Sequence, residues 1–349
     1  MTKKTVVIYY AGFVRFGGVF SHVGALEAEL SRIGWSVTAI TLDSLPFWCR
    51  YIPHITEKLV NLISMPLGFL YKDRITRGLY KLFFNTNADL RIFEDIYLSW
   101  NSKIKSITIL HAVWSDNLQS YTVSEIQQRK LRERETEIID NIKHPVATVS
   151  FPYLKYMREE HFPRTLNKKI EVIELGINQS NFPKVGNLER RSVVYVGALE
   201  ARKNVMFLLK VFKKLFELDS AFKLTVMGDG PQRKELVEFA SSNRLPVNFL
   251  GKLPRHAVLL ELPRHGIYLH TSVKESFSYS LLEAKLAGLK TCAYDKLQVP
   301  AGFIDVAIET FEVDRWCSGI LNIDWTYAPF DAAMYTVEKM TSQTLELAG

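Results

Sequence analysis

Short runs of aliphatic and β-branched residues alternate with stretches of helical periodicity from one end of this chain to the other. This alternation predicts parallel sheets built from βαβ units, an α/β fold. In the first half the strand-like runs are Val6–Tyr10, Val37–Leu42, Ile107–Leu110, Val146–Val149 and Ile170–Glu174. The pattern restarts near Arg191, with runs at Val193–Val196, Phe222–Met227, Val247–Leu250, Ile267–His270 and Lys290–Ala293. Just before the restart, Gly176-Ile177-Asn178-Gln179-Ser180-Asn181-Phe182-Pro183 is rich in turn formers. It reads as a linker between two Rossmann-like, doubly wound domains, residues 1–185 and 186–349. The last helical segment, Asp331 to Leu347, has no strand after it, so either domain could receive it.

The 349 residues suit two domains, and 47% apolar against 23% charged residues excludes disorder, collagen and coiled coil. Cys49, Cys292 and Cys317 are odd in number and far apart, which argues against a disulfide framework or a cysteine zinc site and for a reducing, cytoplasmic setting. Leu59 to Tyr71, the most apolar later stretch, is too short and too interrupted to span a bilayer. A net charge of +7 calls for an anionic partner: nucleic acid, an acidic membrane surface or a phosphorylated small molecule. Nucleic acid is the weakest of these, because the basic residues lie in mixed-sign stretches such as Arg129-Lys130-Leu131-Arg132-Glu133-Arg134-Glu135. Phe47 to Phe84 mixes aromatic and aliphatic residues with Arg50, Lys58, Lys72, Arg74, Arg77 and Lys81. Two readings stay open for it: ordinary helices packing inward, or a basic amphipathic surface on an anionic membrane.

The densest chemistry lies between Ile267 and Gly288. A buried strand ends at His270, a loop of small residues follows, and a helix from about Ser278 to Ala287 stops at Gly288. Helix N-termini at the carboxyl edge of such sheets attract phosphate through exposed N–H groups and the macrodipole. Glu275 precedes this helix start and Glu283 lies more than a turn inside it. The two could straddle a diphosphate facing the N–H groups of Ser276, Phe277 and Ser278, one carboxylate on sugar hydroxyls and the other on a ribose diol. A lone pair of glutamates would more often be a dipole partner and a solvated helix residue.

The pair is not alone. Glu275 to Glu283 resembles the E-x7-E region of retaining glycosyltransferases of the GT-B fold, family 4. Val194-Tyr195-Val196-Gly197-Ala198-Leu199-Glu200-Ala201-Arg202-Lys203-Asn204 resembles that family's strand and G-R-L-x-x-x-K loop, and Val226-Met227-Gly228-Asp229-Gly230-Pro231 its next glycine turn. The resemblance implies two doubly wound domains facing a cleft, with the nucleotide sugar held by the C-terminal one. It implies that Lys203 neutralises the leaving diphosphate, Glu283 holds the ribose and Glu275 orients the donor sugar, with Gly197 and the Ser276–Ser278 backbone beside the ligand. Ala198 replaces the family's usual arginine, and Arg202 is the neighbouring candidate for that charge. Ser276 and Ser278 stand where the family has glycines. In the first half, Gly17 and Gly18 resemble the family's Gly-Gly loop, followed by a helical stripe of Val19, Val23, Leu26, Leu30 and Ile33. His111 ends a strand where relatives often have a histidine near the donor sugar.

No Asp-x-Asp occurs in the chain, so the expectation is a retaining, metal-independent transfer from a nucleotide sugar to a glycan or lipid-linked acceptor. UDP-sugars are favoured over GDP-mannose on family frequency, no cofactor is expected, and the implied setting is surface-polysaccharide assembly in bacteria. The rivals are a nucleotide-sugar epimerase or hydrolase on the same fold, and a non-catalytic glycosyltransferase-like partner protein.

Overall fold

The structure, a computed structural model, describes residues 3–13, 17–62, 65–117, 123–162, 166–182, 188–326 and 330–349. The chain divides into two compact units, one of Met1–Asn178 with Ala333–Gly349 and one of Gln179–Ala332. The expected boundary at 185/186 lies outside the described residues. By their contacts the two units divide between Asn178 and Gln179 and between Ala332 and Ala333.

The first unit carries β1 (Thr5–Tyr9), β2 (Ser36–Ile40), β3 (Leu90–Phe93), β4 (Ser106–Leu110), β5 (Val146–Thr148) and β6 (Ile170–Val172). These form one parallel sheet in the order β2-β1-β3-β4-β5-β6. Its helices are α1 (Gly18–Arg32), α2 (Ile52–Asn61), α3 (Met65–Phe84), α4 (Trp114–Asn117), α5 (Glu125–Asn141) and α6 (Phe151–Tyr156). The second unit carries β7 (Ser192–Val196), β8 (Lys223–Met227), β9 (Val247–Gly251), β10 (Ile267–His270), β11 (Lys290–Tyr294) and β12 (Val306–Ile308), in the parallel order β12-β11-β10-β7-β8-β9. Its helices are α7 (Val205–Leu218), α8 (Arg233–Ser242), α9 (Arg255–Glu261), α10 (Tyr279–Leu286) and α11 (Val313–Leu321). The final helix, α12 (Val337–Ala348), returns to the first unit.

Parallel strands are covered on both faces, so they read as continuous apolar runs. Val6, Ile8 and Tyr9 in β1, and Val193, Val194 and Tyr195 in β7, are all buried. α7 buries Val205, Leu208, Leu209, Phe212 and Leu215 at helical spacing and packs on α11, which contributes Trp316. In α1 the structure buries Val23, Leu26 and Leu30 of the expected stripe; Val19 is half-buried and Ile33, at the C-cap, is exposed. The sequence patterns missed β3 and β12. In β3 the run is broken by Arg91, a buried arginine made tolerable by hydrogen bonds from its guanidinium to Asn85 Oδ1 and the Thr86 carbonyl, both 2.8 Å. β12 is a three-residue edge strand.

In each sheet the chain order reverses at one place, between β1 and β3 in the first and between β7 and β10 in the second. The carboxyl ends of strands beside such a reversal leave a crevice where ligands bind. The three cysteines are buried and free. No helix among the described residues is long and apolar enough to cross a membrane.

α12 packs on α1 and β4, with Val337 and Met340 buried, and the Met340 sulfur accepts a hydrogen bond from the Gly176 N–H at 3.2 Å. Met340→Ala is therefore expected to destabilise the first unit by about 2–4 kcal/mol. Hydrogen exchange should quicken across α1 and leave β7–β9 as they were; faster exchange in β7–β9 alone would assign α12 to the second unit.

Candidate active site

Two loops meet at the reversal of the second sheet. The loop after β7 closes as a 3-10 turn, Ala201–Lys203, and the loop after β10 runs from Thr271 to the start of α10. They are laced together by backbone groups: Val273 N–H donates to the Arg202 carbonyl at 3.2 Å, and Thr271 Oγ1 to the Lys203 carbonyl at 3.0 Å. This lacing brings two expected site residues into contact. Lys203 Nζ donates to Glu275 Oε1, and both side chains are largely buried. His270, at the end of β10, places Nε2 3.3 Å from the same carboxylate oxygen, while its Nδ1 lies 3.3 Å from the Tyr268 hydroxyl. That hydroxyl donates to the Val196 carbonyl at 3.0 Å, tying β10 to β7.

The electrostatics follow from burial and pairing. Burial alone would raise the Glu275 pKa, but the Lys203 ammonium, with His270 and Arg202 nearby, outweighs it and holds the carboxyl well below its usual range. Burial lowers the Lys203 pKa against the pull of Glu275, and burial lowers that of His270, which favours the neutral imidazole. One of the three ammonium donors of Lys203 goes to Glu275. Arg202 is more exposed and its Nε lies 2.6 Å from Glu200 Oε1, so a carboxylate already faces the charge expected to replace the missing arginine.

Ser278 sits before α10 with φ 72° and ψ 89°, and its side chain accepts a hydrogen bond from the Leu281 N–H at 3.4 Å. A positive φ is strained for any residue with a Cβ, which gives a physical reason for glycine at this position in the family the sequence resembles. Phe277 is buried against Tyr279 and Phe303, anchoring the loop from below. Glu283 lies deeper, its Oε1 2.8 Å from an Arg255 Nη2 on α9. Burial raises its pKa against the pull of Arg255. Gly197 has a packing role: a Cβ on Gly228, where φ is 152°, would strike the Gly197 carbonyl, so the two turns touch backbone to backbone.

Sequence reasoning missed His270 and Arg255 as parts of this constellation. His270 was visible as a polar strand end. Arg255 comes from a helix 28 residues before Glu283 in the sequence, and no local pattern links the two.

In the first unit, Gly17 caps α1 with φ 136°, and among the described residues no atom lies within 4 Å of where its Cβ would be. Gly18 opens the helix. The residues just before them, 14–16, are outside the described set. One turn further, His22 is fully buried and its Nε2 lies 3.3 Å from Glu94 Oε2, which is also 2.8 Å from His111 Nε2. Glu94 follows β3 and His111 follows β4, so this trio sits at the carboxyl edge beside the reversal of the first sheet. Burial would raise the Glu94 pKa, but His22 and His111 outweigh it and bring it down to about 2. Burial lowers the His111 pKa. His111 lines a cavity of about 150 Å3 with Tyr10, Val19, Glu94, Asp95 and Trp114. Two imidazoles and a carboxylate are also a metal-binding donor set, with ligand atoms within 4.8 Å of one another. The described spacing is that of a carboxylate shared by two rings.

Residues 178–307 match the family model described as glycosyl transferases group 1. A phosphatidylinositol N-acetylglucosaminyltransferase component from Arabidopsis thaliana is 30% identical over 125 residues, covering 35% of this chain and 28% of that protein. The chain thus matches well under a third of that relative's length. A sucrose-phosphate synthase from Thermosynechococcus elongatus superposes with a TM-score of 0.70 at 16% identity, over 99% of this chain and 94% of its own. HepE from Anabaena, solved with UDP and glucose, superposes with a TM-score of 0.61 at 14% identity, over 99% and 97%. At such identities the structural likeness is one of fold, and the fold is GT-B, two doubly wound α/β units.

Two outcomes follow from this geometry. Ser278→Gly exchanges a cap for relief of strain, so its stability should equal or exceed the wild type, whereas Ser278→Ala loses the cap, keeps the strain and should cost about 1 kcal/mol in chemical denaturation. Because the folded pKa of Glu94 is depressed, its contribution is present above the ordinary glutamate value and is lost as pH falls from about 4.5 through about 2. Glu94→Gln should remove roughly 3 kcal/mol of acid-dependent stability from that window. An unchanged acid limb would mean that the trio is not linked to folding.

Proposed function

We propose that this chain, which carries a glycosyl transferases group 1 domain over residues 178–307, transfers a sugar from a nucleotide-sugar donor to a glycan or lipid-linked acceptor, with retention and without a metal ion. The observation that carries the reading is the buried Lys203–Glu275–His270 constellation at the reversal of the second sheet, one loop before the start of α10. UDP is the favoured nucleotide, supported by the fold shared with HepE, which was solved with UDP. Surface-polysaccharide assembly at the inner face of a bacterial membrane is the proposed setting.

In this reading the diphosphate lies against the backbone N–H groups of Ser276, Phe277 and Ser278, and the remaining Lys203 donors meet its charge. Glu275, kept ionised by Lys203, accepts hydrogen bonds from the sugar hydroxyls and orients the anomeric carbon. Glu283, held by Arg255, receives the ribose diol. The acceptor hydroxyl approaches the face that the diphosphate leaves. The bond from the anomeric carbon to the phosphate oxygen breaks, the acceptor oxygen bonds to that carbon, and the departing phosphate oxygen takes the hydroxyl proton. Lys203 and the start of α10 stabilise the charge that develops on the leaving group.

Thermal unfolding with UDP, GDP, ADP and their sugar conjugates tests the donor site, since a ligand of the folded state raises the unfolding temperature by mass action. A rise with UDP and UDP-sugars that survives EDTA is expected; no rise with any nucleotide would remove the reading. Glu275→Gln keeps an acceptor for Lys203, so the fold and the UDP-induced rise should persist while sugar transfer falls about a hundred- to thousandfold. Turnover close to wild type would exclude Glu275 from the reaction.

A further inference from the structure

Ten of the seventeen exposed large apolar side chains among the described residues fall between Phe47 and Leu82, about a tenth of the chain. α3 explains how. Its inner stripe, Phe69, Lys72, Asp73, Thr76 and Tyr80, is buried, with the Phe69 ring stacked on Trp114 at 4.3 Å and the Tyr80 hydroxyl donating to the Tyr10 carbonyl at 2.8 Å. The opposite stripe, Leu67, Tyr71, Arg74, Gly78 and Leu82, recurs every three or four residues and is exposed. α2 packs on α3 so closely that a Cβ on Gly68 would strike Asn61 and the Glu57 carbonyl. α2 then turns its own stripe outward: Ile52, Ile55, Leu59 and, just past its end, Leu62, which is 84% exposed. Phe47 and Trp48, 75% and 71% exposed, lie just before α2. So many large apolar side chains left exposed on two helices packed together is uncommon for a protein surface without a partner.

The charges identify the partner. Between Phe47 and Phe84 there are six lysines and arginines and two carboxylates. Both carboxylates are engaged within the unit: Asp73 Oδ2 accepts from Trp114 Nε1 at 2.6 Å, and Glu57 Oε2 lies 3.2 Å from His54 Nδ1 and 3.5 Å from Lys72 Nζ. Lys58, Arg74 and Lys81 are exposed. We propose that the outer face of α2 and α3, with Phe47 and Trp48, docks on an anionic lipid surface. The apolar stripes enter the interface between headgroups and acyl chains, and the lysines and arginines meet the lipid phosphates. Exposed Trp and Tyr suit this depth, having an apolar body and a polar tip. The membrane setting of the proposed transfer rests on its acceptor; this surface rests on separate observations.

Co-sedimentation of the full chain with vesicles tests it without any nucleotide. Binding to vesicles of phosphatidylcholine with phosphatidylglycerol is expected, with little binding to phosphatidylcholine alone and release by high salt. Lys58→Glu with Arg74→Glu should weaken binding at least about twenty-five-fold, at roughly fivefold for each cation lost from the surface. Ile55→Ser with Leu59→Ser and Leu62→Ser should abolish binding, and since these side chains are exposed the unfolding temperature should not move. No binding to anionic vesicles, or binding that the triple variant leaves intact, overturns the proposal. So does a concentration-dependent dimer in sedimentation equilibrium that the triple variant dissociates, because a second copy would then be what covers this face. The UDP-induced rise in unfolding temperature is read separately, so loss of lipid binding and loss of donor binding are distinguishable.

Discussion

The second unit is organised around an ammonium and a carboxylate buried together where β7 and β10 lie side by side. Taking Lys203 and Glu275 out of water costs several kcal/mol for each ion, and their attraction repays this only if neither is left alone. The pair is therefore weak as a source of stability and strong as a constraint. It ties the position of the loop after β7 to that of the loop after β10, because moving either strands a charge. The backbone bonds from Val273 to Arg202 and from Thr271 to Lys203 serve the same registration. The start of α10 and the end of β7 are then fixed relative to each other before any ligand arrives.

That fixation has local consequences at positions where backbone comes close to backbone. The Gly228 turn rests on Gly197 with no room for a side chain, so the glycines of this stretch are explained by packing between the loops after β7 and β8. At Ser278 the demand is conformational: the loop must enter α10 through a left-handed residue, and serine meets it with strain that its own cap partly offsets.

Much of this was legible in the sequence because parallel strands buried on both faces leave continuous apolar runs, and because the loop from His270 to Glu283 concentrates its chemistry within fourteen residues. Ten of the twelve described strands coincide with such apolar runs, although the edge strands β2 and β9 are only partly buried. β3 did not, since a buried arginine looks like a surface residue until Asn85 and the Thr86 carbonyl are seen to accept from it. For residues 47–84 the inward-packing reading accounts for one side of α3 only: a helix has two sides, and α3 packs one inward while exposing the other, which periodicity alone cannot assign to core or solvent. The return of α12 to the first unit depends on contacts with α1 and β4, more than 200 residues away in sequence. Glu94 was invisible for a related reason: its partners His22 and His111 come from other elements, and only the sheet order makes them neighbours.

Glu94 and Glu275 prove to be one solution used twice. Each is a buried carboxylate in a loop that follows a strand at the reversal of its sheet, β3 in one unit and β10 in the other. Each has beside it a nitrogen group from the segment after the other strand of that reversal: His22 after β1, Lys203 after β7. Each has a second nitrogen group close by, His111 or His270. In both, burial pushes the carboxyl toward its neutral form and the neighbours push harder the other way, so both remain ionised at neutral pH. A charge held in that balance has its environment already oriented around it. Water would have to reorganise around such a carboxylate as a ligand bound or a bond changed, whereas fixed nitrogen groups do not. Parallel sheets place the ends of adjacent strands side by side at a reversal, which is where such a charge can be surrounded on several sides by a single chain.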